Sequence, residues 1–286
     1  MSKPKAYVIN GLGIGCHKEA AHAYERAGAD VEIVHIRQLL SGEKKLSDSQ
    51  ILNFSGGFLH GDMLGAGICA ANELEQSGIK EQLIEYADKG KVINGQCNGF
   101  QLLVKVGLLP GICSDYSKQT VTLTNNNCGN YRVSYVLHRI EKPHWAFRGI
   151  DDSDLYLWCR HGEGNLQFYS QFGLITQEQA ETNRKLVNQN HVILRYAHPE
   201  TRQPTQEFPH NPNGSADAIA GLADPTGNIF GHMAHTEVGI YFSRDPRFLK
   251  WKDELRRQGV KANDINEKRL EGICLKVFQN IVNHVR

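Results

Sequence analysis

Apolar positions in the first hundred residues fall into short runs separated by longer stretches of helix-forming composition. AYVIN (6–10) is the first run, and HKEAAHAYERAG (17–28) follows with a terminal Gly28 suited to close a helix. VEIVHI (31–36) is β-branched and predicts a second strand, while ILNFSGGF (51–58) predicts a third that runs into a glycine turn. Residues 66–89 are good helix formers ending at Gly90, and KVIN (91–94) predicts the next strand. QLLVKVGLLPG (101–111) predicts a helix stopped by glycine and proline. This alternation predicts an α/β fold of three layers, a mostly parallel central sheet with helices on both faces.

The middle of the chain changes rhythm. QTVTLTNN, YRVSYVLHRI, LYLWCRHG and HVILRYAH carry β-branched and aromatic residues with few long helical stretches between them, which predicts an antiparallel or mixed addition to the sheet. ETRQPTQEFPHNPNGSA (200–216) is rich in proline, asparagine and glycine and predicts an ordered loop or a mobile lid. Toward the end, apolar residues at 270, 273/274, 277/278, 281/282 and 285 predict one apolar helix face. The expected organisation is a main domain over 1–242 and a helical extension over 243–286 packed on that same domain. A partner-binding helix is the alternative for that face.

Composition narrows the field. The net charge is +1, so no bulk charge points to nucleic acid or to an anionic membrane surface. The first apolar run is too short for a signal peptide and no segment reaches spanning length. Seven cysteines form no C-x-x-C pair and leave an odd count, which suits reduced thiols in a cytoplasmic setting.

Candidate chemistry centres on VINGQCNGFQLL (92–103), which places Cys97 between Gly95 and Gly99 where a strand gives way to a helix. A nucleophile on such a turn has a strained backbone, so its neighbours at −2 and +2 must be small. The helix N-terminus favours thiolate over thiol, and the Asn98 N–H points where an oxyanion would form. A buried thiol at a tight turn is the plain alternative. Ser55-Gly56-Gly57-Phe58 is the candidate second oxyanion loop, its glycines admitting a backbone N–H close to substrate. In GNIFGHMAHTEVG (227–239), read as a strand, His235 and Glu237 would project to one side, giving a base with its orienting acid. His232 and His235 with Glu237 as metal ligands are disfavoured, because the two histidines would face opposite sides of that strand. VINGLGIGCHKEA (8–20) resembles a dinucleotide fingerprint, but Cys16 stands where the third glycine belongs. No G-x-x-x-x-G-K-[ST] is present for ATP.

With Gly57, Cys97, His235 and Glu237 in this order, the chain resembles the class I (triad-type) glutamine amidotransferases, of flavodoxin-like fold. Within them it looks like the glutaminase component of phosphoribosylformylglycinamidine synthase, an enzyme of purine biosynthesis. The matching segments are SGGFLHGD (55–62), GQCNGFQLL (95–103), GLLPG (107–111), HGEG (161–164), LRYAHPE (194–200) and NPNGS (211–215). The resemblance implies that Cys97 attacks the glutamine side-chain amide, that His235, oriented by Glu237, protonates the departing ammonia, and that the Gly57 and Asn98 amides hold the oxyanion. Gln101 and the segment beginning at His161 would lie near the glutamine pocket. It also implies a synthetase subunit that receives the ammonia, and a small accessory subunit is a further candidate member of that complex. ATP and magnesium are expected on the synthetase, with no cofactor or metal in this chain. The chain departs from the family at Gln96, where an apolar residue is usual, and at Ala234, Thr236 and Val238, where proline, proline and arginine are usual. Residues 241–286 are expected to lie beyond the family's usual end. Two other readings stay open: a glutaminase serving a different ammonia acceptor, and a catalytically silent scaffold or sensor that still docks a synthetase.

Overall fold

A computed structural model describes residues 3–168, 176–261 and 271–286. Four early strands, β1 (Lys5–Asn10), β2 (Asp30–His35), β3 (Ile51–Phe54) and β4 (Val92–Gln96), pair in parallel in the order β2-β1-β3-β4. Next to β4 lies β11 (Ile229–His232), also parallel, with Gly231 in register with Gly95 and His232 with Gln96. Beyond it the sheet turns antiparallel through β10 (Ile219–Ala223), β9 (Val192–Tyr196), β6 (Arg132–Ile140) and β7 (Tyr156–His161), completing nine strands. A separate antiparallel pair joins β5 (Thr122–Thr124) to β8 (Asn165–Gln167). The expected mostly parallel sheet with an antiparallel addition is what forms.

Alternation along β1 explains the layers. Tyr7 and Ile9 enter one core with Leu52, Phe54 and Ile93, whereas Ala6 and Val8 enter the other with Ile51 and Val92. The first core is covered by α2 (Ile36–Leu40), α3 (Ile68–Gln76), α4 (Ile79–Asp88) and α5 (Asn98–Lys105), and Val187 of α6 (Gln177–Asn190) joins it. The second core holds α1 (His17–Ala27) and the C-terminal helix α8 (Leu275–His284). Phe278 of α8 meets Tyr24 of α1 edge-to-face, ring centroids 4.9 Å apart. The apolar stripe at 274, 277, 278, 281 and 282 is thus turned into this second core, while position 270 lies outside the described residues.

Several elements differ from the sequence reading. The helix read over 66–89 is two, α3 and α4, broken where Gly78 takes φ +70. Helix α5 begins at Asn98, immediately after Cys97, and ends at Lys105, short of the glycine at 107. Helix α6 was not anticipated: only Val187 of its fourteen residues is buried, so no apolar period marks it. The region over 200–216 is a loop whose NPNGS end is fastened, Asn213 Nδ2 donating to Tyr196 Oη at 2.9 Å and Ser215 Oγ to the Ile219 carbonyl at 2.6 Å. A further helix, α7 (Phe248–Arg257), precedes α8. Among the described residues, no helix is long and apolar enough to cross a membrane.

Candidate active site

Because β1, β3, β4 and β11 are parallel, the segments that leave their C-terminal ends all emerge at one edge of the sheet. Those segments are 11–16, 55–62, 97 onward and 233–237.

Cys97 occupies the junction of β4 and α5 with φ +51 and ψ −106, a strained conformation for a side-chain-bearing residue. It is held by its own N–H donating to the His232 carbonyl at 2.9 Å and by its carbonyl accepting from the Gln101 N–H at 3.0 Å. The flanking glycines are needed for space. A Cβ on Gly95 would lie 2.8 Å from the Gly99 backbone, and one on Gly99 only 2.0 Å from the Phe54 carbonyl oxygen. The −2 and +2 positions therefore pack on each other and on the neighbouring strand, as a nucleophile elbow requires. The Cys97 thiol donates to the Arg160 carbonyl at 3.5 Å and is almost wholly buried.

Gly56 and Gly57 follow β3. A Cβ on Gly56 would stand 2.8 Å from His235 Cε1 and 3.3 Å from Cys97 Cβ, so this residue lies between thiol and imidazole. Gly57 has φ +146, and a Cβ there would clash with the backbone of residues 13–15 at 2.6–2.7 Å. That backbone belongs to the glycine loop resembling a dinucleotide motif. The loop buttresses its neighbour instead: Gly15 and Cys16 N–H groups donate to the Gly56 carbonyl at 3.2 and 3.1 Å, and Phe58 N–H to the Gly13 carbonyl at 2.9 Å. Anchoring the Gly56 carbonyl on one side of its trans peptide turns the Gly57 N–H to the other.

His235 Nδ1 and Glu237 Oε1 are 2.5 Å apart, both side chains buried. The pair forms, but not in a strand as the sequence reading held. Strand β11 stops at His232, and residues 235–237 turn into a short 3-10 helix with Glu237 in the αR region. Burial alone would lower the His235 pKa, yet the Glu237 carboxylate and then Cys97 outweigh it and hold it well above the ordinary imidazole value. His235 Nε2 and Glu237 Oε2 are buried without a partner among the described residues. Cys16 Sγ lies 3.7 Å from His235 Nδ1, so the three groups that converge are Cys16, His235 and Glu237. His232 stays apart, its Nδ1 donating to the Ala234 carbonyl at 2.8 Å.

The wall beyond the thiol is a polar lattice. Asn98 Oδ1 accepts from the Leu59 N–H at 3.0 Å, and its Nδ2 donates to Asp62 Oδ1 at 2.9 Å and Gln101 Oε1 at 3.0 Å. Gln101 Nε2 donates to the Glu163 carbonyl at 2.6 Å, tying α5 to the HGEG segment. His161 is buried with both ring nitrogens engaged, Nδ1 to Asn126 Oδ1 at 3.2 Å and Nε2 to Asn213 Nδ2 at 3.5 Å. Its pKa is lowered to about 3 by burial, so it is a neutral support linking HGEG to NPNGS. Burial pushes Asp62 up to about 6 despite its Asn98 hydrogen bond, with Glu163 adding to the rise. Asp62, Arg160 and Cys16 escaped the sequence reading. All three lie inside segments singled out for other residues, SGGFLHGD, LYLWCRHG and VINGLGIGCHKEA, and nothing in their spacing marked them. Around the mouth, Leu12, Phe58, Met63, Leu64 and Tyr131 are exposed, with Phe58 and Tyr131 rings 6.1 Å apart.

A family model described as the CobB/CobQ-like glutamine amidotransferase domain matches residues 3–284. The chain belongs to this family. The match runs through residues 241–284, so the C-terminal helices lie within the family's span and not beyond it. The chain is similar to phosphoribosylformylglycinamidine synthase subunit PurQ of Dehalococcoides mccartyi, 35% identical, covering 100% of this chain and 99% of that one. It is 34% identical to the protein of the same name from Methanococcus maripaludis, over 98% of this chain and 97% of the relative. Among solved structures it is similar to a chain in the structure of PurLQS from Thermotoga maritima, with TM-score 0.67 and 25% identity over 100% of both chains.

Proposed function

We propose that this chain is the glutaminase that supplies ammonia for phosphoribosylformylglycinamidine formation in purine biosynthesis, with Cys97, His235 and Glu237 as its catalytic triad. One observation carries the residue assignment. A buried imidazole, its Nδ1 taken by Glu237 and its Nε2 unpartnered, borders the same glycine as a thiol on a strained strand–helix elbow. The full-length relatives named for that synthase support the choice of pathway.

The reading gives the following steps. His235 Nε2 takes the Cys97 proton, and the sulfur attacks the side-chain carbonyl carbon of glutamine. The oxyanion is received by the N–H groups of Gly57 and Asn98. As the C–N bond breaks, the proton on His235 passes to the departing nitrogen, which leaves as ammonia. Water, deprotonated by His235, then cleaves the thioester to glutamate and restores the thiol. Glu237 keeps the ring in one tautomer and stabilises the imidazolium, in keeping with the raised His235 pKa. Gln101 and His161 support the glutamine-binding wall.

Ammonia released into neutral water would be protonated and lose its nucleophilicity, so the acceptor site must be close. The exposed apolar rim of Leu12, Phe58, Met63, Leu64 and Tyr131 suits a synthetase subunit seated over the mouth. ATP and magnesium belong on that subunit, and a small accessory subunit would complete the complex. Seven free cysteines suit a reducing, cytoplasmic compartment.

The test is Cys97→Ala in the complex reconstituted with its synthetase. Glutamine-dependent product formation is expected to fall by about a thousandfold or more, while formation from added ammonium persists. Glutamine-dependent synthesis that survives the substitution would refute the nucleophile.

A further inference from the structure

Gln96 and Thr236 sit beside the triad residues but belong to none of its chemical steps. Gln96 is the last residue of β4, immediately before Cys97, and Thr236 separates His235 from Glu237. Both are completely buried, and Gln96 Nε2 donates to Thr236 Oγ1 at 2.6 Å across 140 positions of sequence. Gln96 Oε1 has no partner among the described residues, so the amide is kept in the interior with only part of its hydrogen-bonding capacity met. A buried amide of that kind costs stability, which an apolar side chain of similar size would not.

The turn it reaches is tethered elsewhere to the loop after β1, Cys16 Sγ lying 3.7 Å from His235 Nδ1, and to β7 through an Ala234–Cys159 bridge. The His235 N–H donates to the Trp158 carbonyl at 2.8 Å, fastening the turn to β7. The Val238 and Gly239 N–H groups close it on itself, to the His235 and Thr236 carbonyls at 3.3 and 3.1 Å. Among the described residues, the Glu237 carboxylate bonds only His235. Among the described residues, the Gln96–Thr236 bond is the one side-chain hydrogen bond that ties residues 235–237 to the strand carrying the nucleophile. We infer that Gln96 and Thr236 are a positioning pair: their hydrogen bond sets the separation and angle between the elbow that presents Cys97 and the turn that presents His235 and Glu237. The inference rests on the triad reading given above, and it adds to it the element that holds base and nucleophile in register.

The experiment measures kcat and KM for glutamine, together with the thermal midpoint, in the complex with the synthetase subunit. Thr236→Val removes the acceptor at nearly constant shape and is expected to lower kcat about 10- to 100-fold, with KM changed by no more than about twofold. Thr236→Ser keeps the hydroxyl and is expected to retain kcat within about threefold. The double variant Gln96→Leu/Thr236→Val leaves neither member of this pair with an unpaired buried polar group, so its thermal midpoint should recover toward wild type while kcat stays low. Recovery of kcat along with the midpoint would show that the bond only satisfies itself, and would overturn the positioning role. So would a Thr236→Val variant that loses midpoint without losing kcat. A Cys97→Ala complex that keeps glutamine-dependent activity would instead sink the triad reading, and the positioning role with it.

Discussion

At the scale of single residues, the site is shaped by what is missing from side chains as much as by what they carry. Gly56 leaves the gap in which His235 and Cys97 face one another, and Gly95 and Gly99 let the elbow pass beneath Phe54. The charged groups work against burial: Glu237 keeps His235 protonatable in the interior, and Asn98 holds Asp62 at the mouth. Asp62 makes a test by pH. Its folded pKa of about 6 lies above its ordinary 3.8, so the folded state binds the proton more tightly than the unfolded one. Its contribution to stability is most favourable below the ordinary value and is lost as pH climbs through about 6. The full shift corresponds to roughly 3 kcal/mol, and solvent reaching this half-buried carboxylate reduces that to about 1 kcal/mol. Asp62→Asn should therefore stabilise by about 1 kcal/mol near pH 7.5 and by nothing near pH 4 in urea unfolding. An equal gain at both pH values would contradict this. The strained turn at Cys97, the glycine turn at Gly57 and the contact of His235 with Glu237 were legible as local geometry, because a glycine-flanked cysteine after a strand and a histidine two positions before an acid carry local meaning. Asp62, Arg160 and the Gln96–Thr236 bond were not, since each matters through partners brought close only by the fold.

Among elements, the legible ones repeat an apolar period. Strands β1, β3 and β4 are buried along nearly all their length and are legible by short apolar stretches, AYVI, IL and VI, at positions where central parallel strands are buried on both faces. Helix α6 fully buries only Val187 and offered no period, although Thr176 with Gln179 forms a capping box that its T-x-x-Q spelling announces. The turn at 235–237 was misread as strand because β11 before it is apolar and extended, and only the break after His232 reveals the change. Helix α8 was correctly read as an apolar-faced helix, and its packing gives a second prediction. Phe278 is fully buried against Tyr24, whose hydroxyl donates to Asn53 Oδ1 at 3.2 Å, and Asn53 Nδ2 donates to Ser55 Oγ at 3.3 Å. Phe278→Ala should cost about 3–5 kcal/mol in denaturant unfolding. A negligible loss would mean that α8 is an appendage to the domain, not part of its core.

For the whole molecule, the decisive feature is that five parallel strands and one antiparallel arm deliver their loops to a single edge. The glycine loop after β1 braces the glycine loop after β3. The Cys97 turn after β4 meets the His235–Glu237 turn after β11, and the end of β7 supplies the carbonyl beside the thiol. This convergence makes one cysteine among seven the expected nucleophile, and it can be tested directly. Cys128 offers a built-in control, since its hydrogen bond from Arg132 Nε at 3.2 Å lowers its pKa without placing it in this cluster. The measurement is mass spectrometry of the intact protein, with and without its synthetase partner, after exposure to a glutamine-mimicking electrophile, in the presence and absence of excess glutamine. A general alkylating agent run in parallel reports which thiols are accessible. The account predicts modification by the mimic at Cys97 alone, suppressed by glutamine, while the general reagent also labels Cys128. Labelling by the mimic that spreads over Cys128 and other thiols, or that glutamine does not suppress in the complex, would contradict it.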